Sequence, residues 1–208
     1  MARPSRFDVQ QLLDAAVKLA AAGGPAAVSM SAVAMEVGAP SGSVYHRFAG
    51  RATLLAEVWL RTVESFQEGY FAAIEAGVDA RQAGCAAARH VVAWSRAHPQ
   101  EAALLLYGAE EFGRADWPEE HRRRADRGNR RVRDALASLA AALGADCRQT
   151  TERVALAVID LPLSLVRRHL RAGASLPAYA EDLAEECTAA LLGSPTASAS
   201  VPTAPATG

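Results

Sequence analysis

The chain is poor in cysteine and aromatic residues, and it lacks long apolar runs and any strong excess of one charge. Its three cysteines, Cys85, Cys147 and Cys187, are odd in number and far apart, with no CxxC pair. That argues against a disulfide framework or a sulfur-ligated zinc site and leaves reduced intracellular thiols as the reading. No run of about 18 apolar residues occurs, the length a bilayer-crossing helix needs, and the N-terminus has no apolar signal core. The expected location is the cytoplasm, with no membrane partner. Alternating runs of valine, isoleucine and threonine are missing, so no sheet is expected. A net charge of −1 excludes a wholly basic nucleic-acid binder. His90, His98, His121 and His169 are scattered, without a nucleophile elbow, an HExxH pair or a phosphate loop. No catalytic residue, cofactor or metal is expected, and the chain is read as not an enzyme.

What is present is alanine and helical periodicity. Alanine has the best helix propensity and lets helix axes approach closely. Val9, Leu12, Leu13, Ala16, Val17 and Ala20 form one stripe of a helix over 8–22, with Asp8 and Gln11 spaced as a capping box and Gly23-Gly24-Pro25 as its stop. Ser29 caps a short second helix stopped by Gly38; a third covers 41–48, and a fourth runs from Arg51 to about Ala76. Further helices are expected near 79–98, 100–112, 117–143, 147–171 and 176–192, about nine in all. The tail from Gly193, rich in proline, serine, threonine and alanine, is expected to be disordered. The resulting division is a three-helix head (1–50), a helical body (51–192) and a tail (193–208).

The stretch SGSVYHRFAGR, residues 41–51, is bare at its start and aromatic toward its end. A helix, a glycine turn and a second helix within about 20 residues make a helix-turn-helix, whose second helix enters the major groove N-terminus first. Ser41, Gly42 and Ser43 then permit close backbone approach, and their hydroxyls and N–H groups face phosphates or base edges. Val44 and Phe48 face inward, Tyr45 and Arg47 reach the sugar-phosphate backbone on the flanks, and His46 lies between them. Residues 1–52 hold five basic groups against three acids, a mildly cationic head on an anionic body. Arg3 and Arg6 read either as an arm into an adjacent groove or as a solvated terminus.

The segment VSMSAVAMEVGAPSGSVYHRFAGRATLLAEV resembles the DNA-binding segment of TetR-family (tetracycline-repressor-like) transcriptional regulators. The residues that carry the likeness are Ser29, Val33-Ala34, Gly38, Ser41-Gly42-Ser43, Tyr45, Phe48 and Arg51. The resemblance implies an all-α fold: an N-terminal three-helix helix-turn-helix domain, followed by a C-terminal helical ligand-binding and dimerisation domain. It implies that Ser29 caps the second helix and touches phosphate, that Ser41, Gly42 and Ser43 approach bases, and that Tyr45, Arg47 and Arg51 bond phosphate. Two positions depart from the pattern. Pro40 stands where a serine or threonine cap is common, leaving Ser41 to take that role, and Arg51 replaces a lysine, which keeps the charge and changes the hydrogen-bond geometry. The implied function is a ligand-responsive regulator, a homodimeric repressor released from double-stranded operator DNA by a small, largely apolar effector. An all-helical enzyme or interaction module with a vestigial helix-turn-helix is the alternative.

In the body, AALLLYGAEEFGRADW (102–117) reads as a pocket wall of Leu105, Tyr107, Phe112 and Trp117 with Glu110 or Glu111 as polar handle, or as a buried core helix with a solvated corner. Phe66, Tyr70, His90 and Trp94 are further pocket candidates by helical spacing. Asp160 is the one charge in VALAVIDLPLSLV, two residues before a helix-kinking proline. It contacts ligand, pairs with Arg167 across a dimer seam, or caps the kink. HRRRADRGNRRVRD (121–134) is read as a solvated arginine face rather than a second nucleic-acid patch, since Ala125, Val132, Leu136, Leu139 and Leu143 supply an inward stripe and acids interleave. The stripes Val154, Val158, Leu161, Leu165 and Tyr179, Leu183, Cys187, Leu191 are the expected dimer seam, or else they close the monomer core.

Overall fold

The computed structural model describes residues 8–144 and 148–193, and all regular structure among them is helical. Arg3, Arg6, Cys147 and the tail beyond Gly193 lie outside the described residues. Helix α1 (Val9–Gly23) begins where Asp8 accepts the Gln11 N–H at 2.8 Å and the Gln11 side chain accepts the Asp8 N–H at 3.3 Å. It ends because Gly24 turns left-handed, at φ 71°. Helices α2 (Met30–Glu36), α3 (Ser41–Tyr45) and α4 (Arg51–Glu75) follow. Asp79 caps α5 (Ala80–Ala97) by accepting the Gln82 N–H at 2.8 Å. Pro99, read from sequence as a stop, also opens α6 (Pro99–Leu105), where a missing N–H costs no helical bond. The acids Glu119 and Glu120 sit at the positive end of α7 (Glu119–Ala142). Helix α8 (Arg148–Ala155) passes through a π segment (Leu156–Asp160) into α9 (Leu161–Arg171), and α10 (Ala180–Gly193) closes the described chain.

Three elements differ from expectation. The helix expected over 100–112 stops at Leu105, and 106–118 fold into a compact loop with a 3-10 turn at Arg114–Asp116 and a left-handed Gly113. Its apolar residues are anchors rather than a helix face: Phe112 and Trp117 are fully buried, and the Trp117 indole N–H donates to the Phe112 carbonyl at 2.9 Å. At Pro162, where a kink was expected, a wider i→i+5 turn just ahead of the proline absorbs the missing hydrogen bond. The last helix starts at Ala180, four residues later than expected, while Leu176 is buried on the way in.

The core has two centres. One lies among α1–α4, built on Leu12, Val33, Val44, Phe48, Leu54 and Val58, and it takes Leu104, Phe112, Trp117 and Ala125 from beyond α4. The other gathers Tyr70, Phe71, Val91, Val92, Leu139, Val154, Val158 and Leu192. The first half of α4 thus belongs to the head core and its end to the body core, so the head core extends past the boundary placed at residue 50 and one rod joins the two centres.

Candidate DNA-reading head and effector region

Ser29 accepts the Ala32 N–H at 3.1 Å and so starts α2 with a side-chain cap. Gly38, at φ 66°, makes the turn, a backbone conformation that a side chain would strain. Helix α3 is anchored from beneath: Val44 is 0 % and Phe48 3 % exposed, each such burial stabilising the attachment by about 1.5–3 kcal/mol. On the opposite side Ser41, Gly42, Tyr45 and His46 are exposed, with Ser43 half-buried. Among the described residues nothing lies within 4 Å of where a Gly42 Cβ would stand, so the start of α3 is open to close approach.

Three head residues are placed otherwise than expected. Ser41 is the first residue of α3 and not its cap; Pro40 holds the cap position without a side-chain bond, its carbonyl accepting the Ser43 N–H at 2.9 Å. Arg47 curls back along its own helix and donates to the Ser43 carbonyl at 2.9 Å. Arg51 is turned inward: Nε donates to the Val28 carbonyl at 2.7 Å and Nη2 to the Pro25 carbonyl at 2.8 Å. It braces the start of α4 against the α1–α2 connection, and those donors are not directed at phosphate.

The pocket candidates separate into two places. Phe66, Tyr70, His90 and Trp94 do meet, between α4 and α5. Phe66 lies 5.6 Å from Tyr70, 5.5 Å from His90 and 5.4 Å from Trp94, ring centre to ring centre, and Trp94 stacks on His98 at 4.7 Å. Gly69 makes the nest possible, since a Cβ there would stand 2.3 Å from His90 Cε1. His90 Nε2 donates to the Phe66 carbonyl at 3.1 Å. Burial pushes the His90 pKa down and the Tyr70 pKa up, so both are neutral at pH 7. The Tyr70 hydroxyl is buried without a partner among the described residues.

Leu105, Tyr107, Glu110, Glu111, Phe112 and Trp117 lie elsewhere, from the end of α6 through the loop beneath the head. Trp117 packs on Trp59 at 5.6 Å, and Tyr107 sits against Gly24. Glu111 accepts the Gly108 N–H at 2.8 Å and exposed Glu110 faces Arg114 at 3.8 Å, so neither is the handle of a closed pocket. Asp160, expected to be buried, is exposed. Val154 and Val158, assigned to the dimer seam, are wholly buried within the chain and close the monomer core. Leu161, Leu165, Leu183 and Cys187 instead line one shallow groove of about 210 Å³ between α9 and α10, with Ser164 and Arg168. Tyr179 (62 %) and Leu156 (45 %) are exposed apolar groups, and Leu191 is half-buried against the body core.

One constellation escaped the sequence reading. Arg124 of α7 is bidentate on Glu64 and donates through Nη1 to Glu57 at 2.9 Å, while His121 Nε2 donates to the other Glu57 oxygen, also at 2.9 Å. The hydrogen bond to Glu64 is the leading reason the Arg124 guanidinium holds its proton even more firmly than usual. Arg61, one turn along α4 from Glu57, donates to Gln10 at 3.0 Å and Asp14 at 2.7 Å on α1. The only signal was spacing: Glu57 and Glu64 share a face of α4, as His121 and Arg124 share a face of α7. Among the described residues no group of three His, Cys, Asp or Glu is placed to hold a metal ion, and no helix is long and apolar enough to cross a membrane.

A helix-turn-helix head on an all-helical body is an arrangement suited to a DNA-binding transcriptional regulator. Residues 12–58 match the family model described as bacterial regulatory proteins, tetR family, so over that head the chain is similar to the TetR family. Solved structures share the fold along nearly the whole chain. The ketosteroid transcriptional regulator KstR2 of Mycobacterium tuberculosis is 17% identical with a TM-score of 0.69, covering 90% of this chain and 95% of its own. A bacterial regulatory protein in the tetR family from Rhodococcus RHA1 is 18% identical with a TM-score of 0.70, over 88% and 95%. The regulator FadR from Bacillus subtilis, in complex with stearoyl-CoA, is 15% identical with a TM-score of 0.64, over 87% and 98%. No curated protein matches the chain in sequence.

Proposed function

We propose that this chain is a homodimeric repressor that leaves its operator when a small, largely apolar molecule enters the body between α4 and α5. One observation carries the DNA-binding part: α3 turns small and hydrogen-bonding residues outward while Val44 and Phe48 pin its other side. Ser41, Gly42 and Ser43 approach base edges, and the exposed Tyr45 hydroxyl, with Ser29 and His46, meets the sugar-phosphate backbone. Arg47 and Arg51 act by holding α3 and α4 in place. The groove of Leu161, Leu165, Leu183 and Cys187 supplies an apolar face for a second copy, which would set two heads about 34–36 Å apart on successive major grooves. The effector reading rests on the aromatic nest: its lining is neutral, and the Tyr70 hydroxyl offers one buried, unpaired polar contact. A relative of the same fold holds stearoyl-CoA, and another is a ketosteroid regulator, which favours a ligand of apolar character. Ligand that binds better when the heads are wrongly spaced for DNA shifts the population away from the operator.

The test is retention of genomic DNA fragments by the full-length protein at two salt concentrations. Enrichment of particular fragments, weakening steeply with salt as counterions are released, is the expected result. No fragment enriched over bulk DNA overturns the reading and returns the chain to the enzyme or interaction-module class.

A further inference from the structure

We infer that Arg124 is a positioning residue: the clamp it forms with Glu57, Glu64 and His121 sets the angle between head and body, and thereby the half-site separation that a dimer reads. This rests on the DNA-binding function proposed above. Helix α4 passes continuously from head core to body core, so the direction in which it is held decides where the head lies. On one side of α4 that direction is set by packing, with Trp59, Leu104, Phe112, Trp117 and Ala125 filling the space beneath the head. On the other side there is a crevice of about 400 Å³, with Val9, Leu13 and Phe48 of the head on one wall and Glu120, His121 and Arg124 of α7 on the other. Close packing cannot fix an angle across an open crevice. Polar links bridge it instead, and they fall on one stripe of α4: Glu57 and Glu64 reach α7, and Arg61 between them reaches α1.

The geometry of the clamp suits this task. A guanidinium held at two carboxylates seven residues apart on one helix fixes rotation as well as distance, which a single contact does not. His121 is 5 % exposed and bonds the Glu57 oxygen that Arg124 leaves, so Glu57 is gripped from both sides by one face of α7. Rotation or sliding of α7 against α4 would break these bonds together, so the clamp resists both motions at once.

The test uses the full-length protein and the half-site it selects from random-sequence duplex DNA. Two copies of that half-site are placed in one duplex with spacers of every length across a helical turn, and a single copy in another. The parent favours one spacer length. Arg124→Gln, and separately Glu57→Gln with Glu64→Gln, flatten that preference, lowering affinity at the parental spacing about tenfold relative to its neighbours while leaving dimerisation and single-half-site affinity unchanged. Arg124→Lys, which keeps the charge as a point contact, falls between. A spacing preference as sharp as the parent's in both variants overturns the inference. So does an equal loss on the single half-site, which makes the clamp a prop of the head's own fold. A parent that selects no DNA at all refutes the proposed function first, and the inference falls with it.

Discussion

Replacing Arg51 with alanine separates two roles that sequence cannot tell apart. As a phosphate contact, each Arg51 would release about 0.9 counterion on binding, and removing both copies in a dimer would flatten the salt dependence of operator affinity by about 1.8. In the structure its Nε and Nη2 donate to the carbonyls of Val28 and Pro25 at 2.7 and 2.8 Å, and Val28 is fully buried. Hydrogen bonds from a charged donor are each worth about 1.5–3 kcal/mol in sheltered sites. Arg51 is itself exposed and screened by solvent, which lowers the expected total to about 1–2 kcal/mol. For a chain of this size, each kcal/mol moves the thermal midpoint by about 2–4 °C, so Arg51→Ala should melt about 2–8 °C below the parent. Operator affinity falls too, because α4 then enters the head at a less defined angle, but the slope of log affinity against log salt stays parental. Calorimetric melting and operator titration at four salt concentrations measure both quantities on one preparation. An unchanged midpoint together with a slope reduced by about 1.8 would refute the brace and restore the phosphate contact.

Tyr70→Phe deletes a buried hydroxyl that has no partner among the described residues, and an unpaired buried polar group costs about 1–3 kcal/mol, so the melting midpoint holds or rises while effector sensitivity drops; a clear fall in midpoint would mean that the hydroxyl is bonded. Because burial lowers the folded-state pKa of His90 below its ordinary 6.5, the unfolded chain binds more protons on acidification. The His90 contribution is therefore complete above pH 6.5 and lost as pH falls through the lowered folded value, and His90→Gln should remove that part of the stability–pH curve in urea titrations. Leu183→Glu places a charge in the α9–α10 groove, where a second copy would have to desolvate it at a cost of several kcal/mol. Sedimentation should find folded monomers with weak operator binding, and a variant still dimeric would place the interface elsewhere.

The head was legible because its signals are local. The Asp8–Gln11 box, the Ser29 cap, the Gly38 turn and the inward pair Val44 and Phe48 each involve residues within a few positions of one another, where spacing alone decides geometry. The brace made by Arg51 was not legible for the complementary reason. Its acceptors are backbone carbonyls 23 and 26 residues away, and any residue has a carbonyl, so side-chain identity carries no trace of the pairing. The clamp on Glu57 was hidden likewise, since its two halves lie more than 60 residues apart. The aromatic nest was found because Phe66 and Tyr70, like His90 and Trp94, stand four apart on single helices. The loop beneath the head was misread because the apolar run from Ala102 reads as a helix continuing to Phe112, while the helix ends at Leu105 and Gly113 turns the path beyond it left-handed.

Asp160 shows how a correct local rule leads to a wrong face. Reading VALAVIDLPLSLV as one α-helix puts Val154, Val158, Leu161 and Leu165 on a single stripe and turns Asp160 into a charge within an apolar rod. Leu156–Asp160 is a π segment, whose i→i+5 bonds take in about one residue more per turn than an α-helix does. Every position beyond it is rotated relative to every position before it. Val154 and Val158 accordingly sink into the monomer core, Asp160 emerges to solvent, and Leu161 and Leu165 are carried round to the groove shared with α10. Pro162 is the residue that ties these outcomes together. Without an N–H it cannot complete the α-helical bond to Val158, and a widened turn directly upstream dispenses with that bond while keeping the helix continuous. The same proline that sequence reading took as a kink therefore sets the phase of α9, and with it which leucines are left for a second copy of the chain to cover.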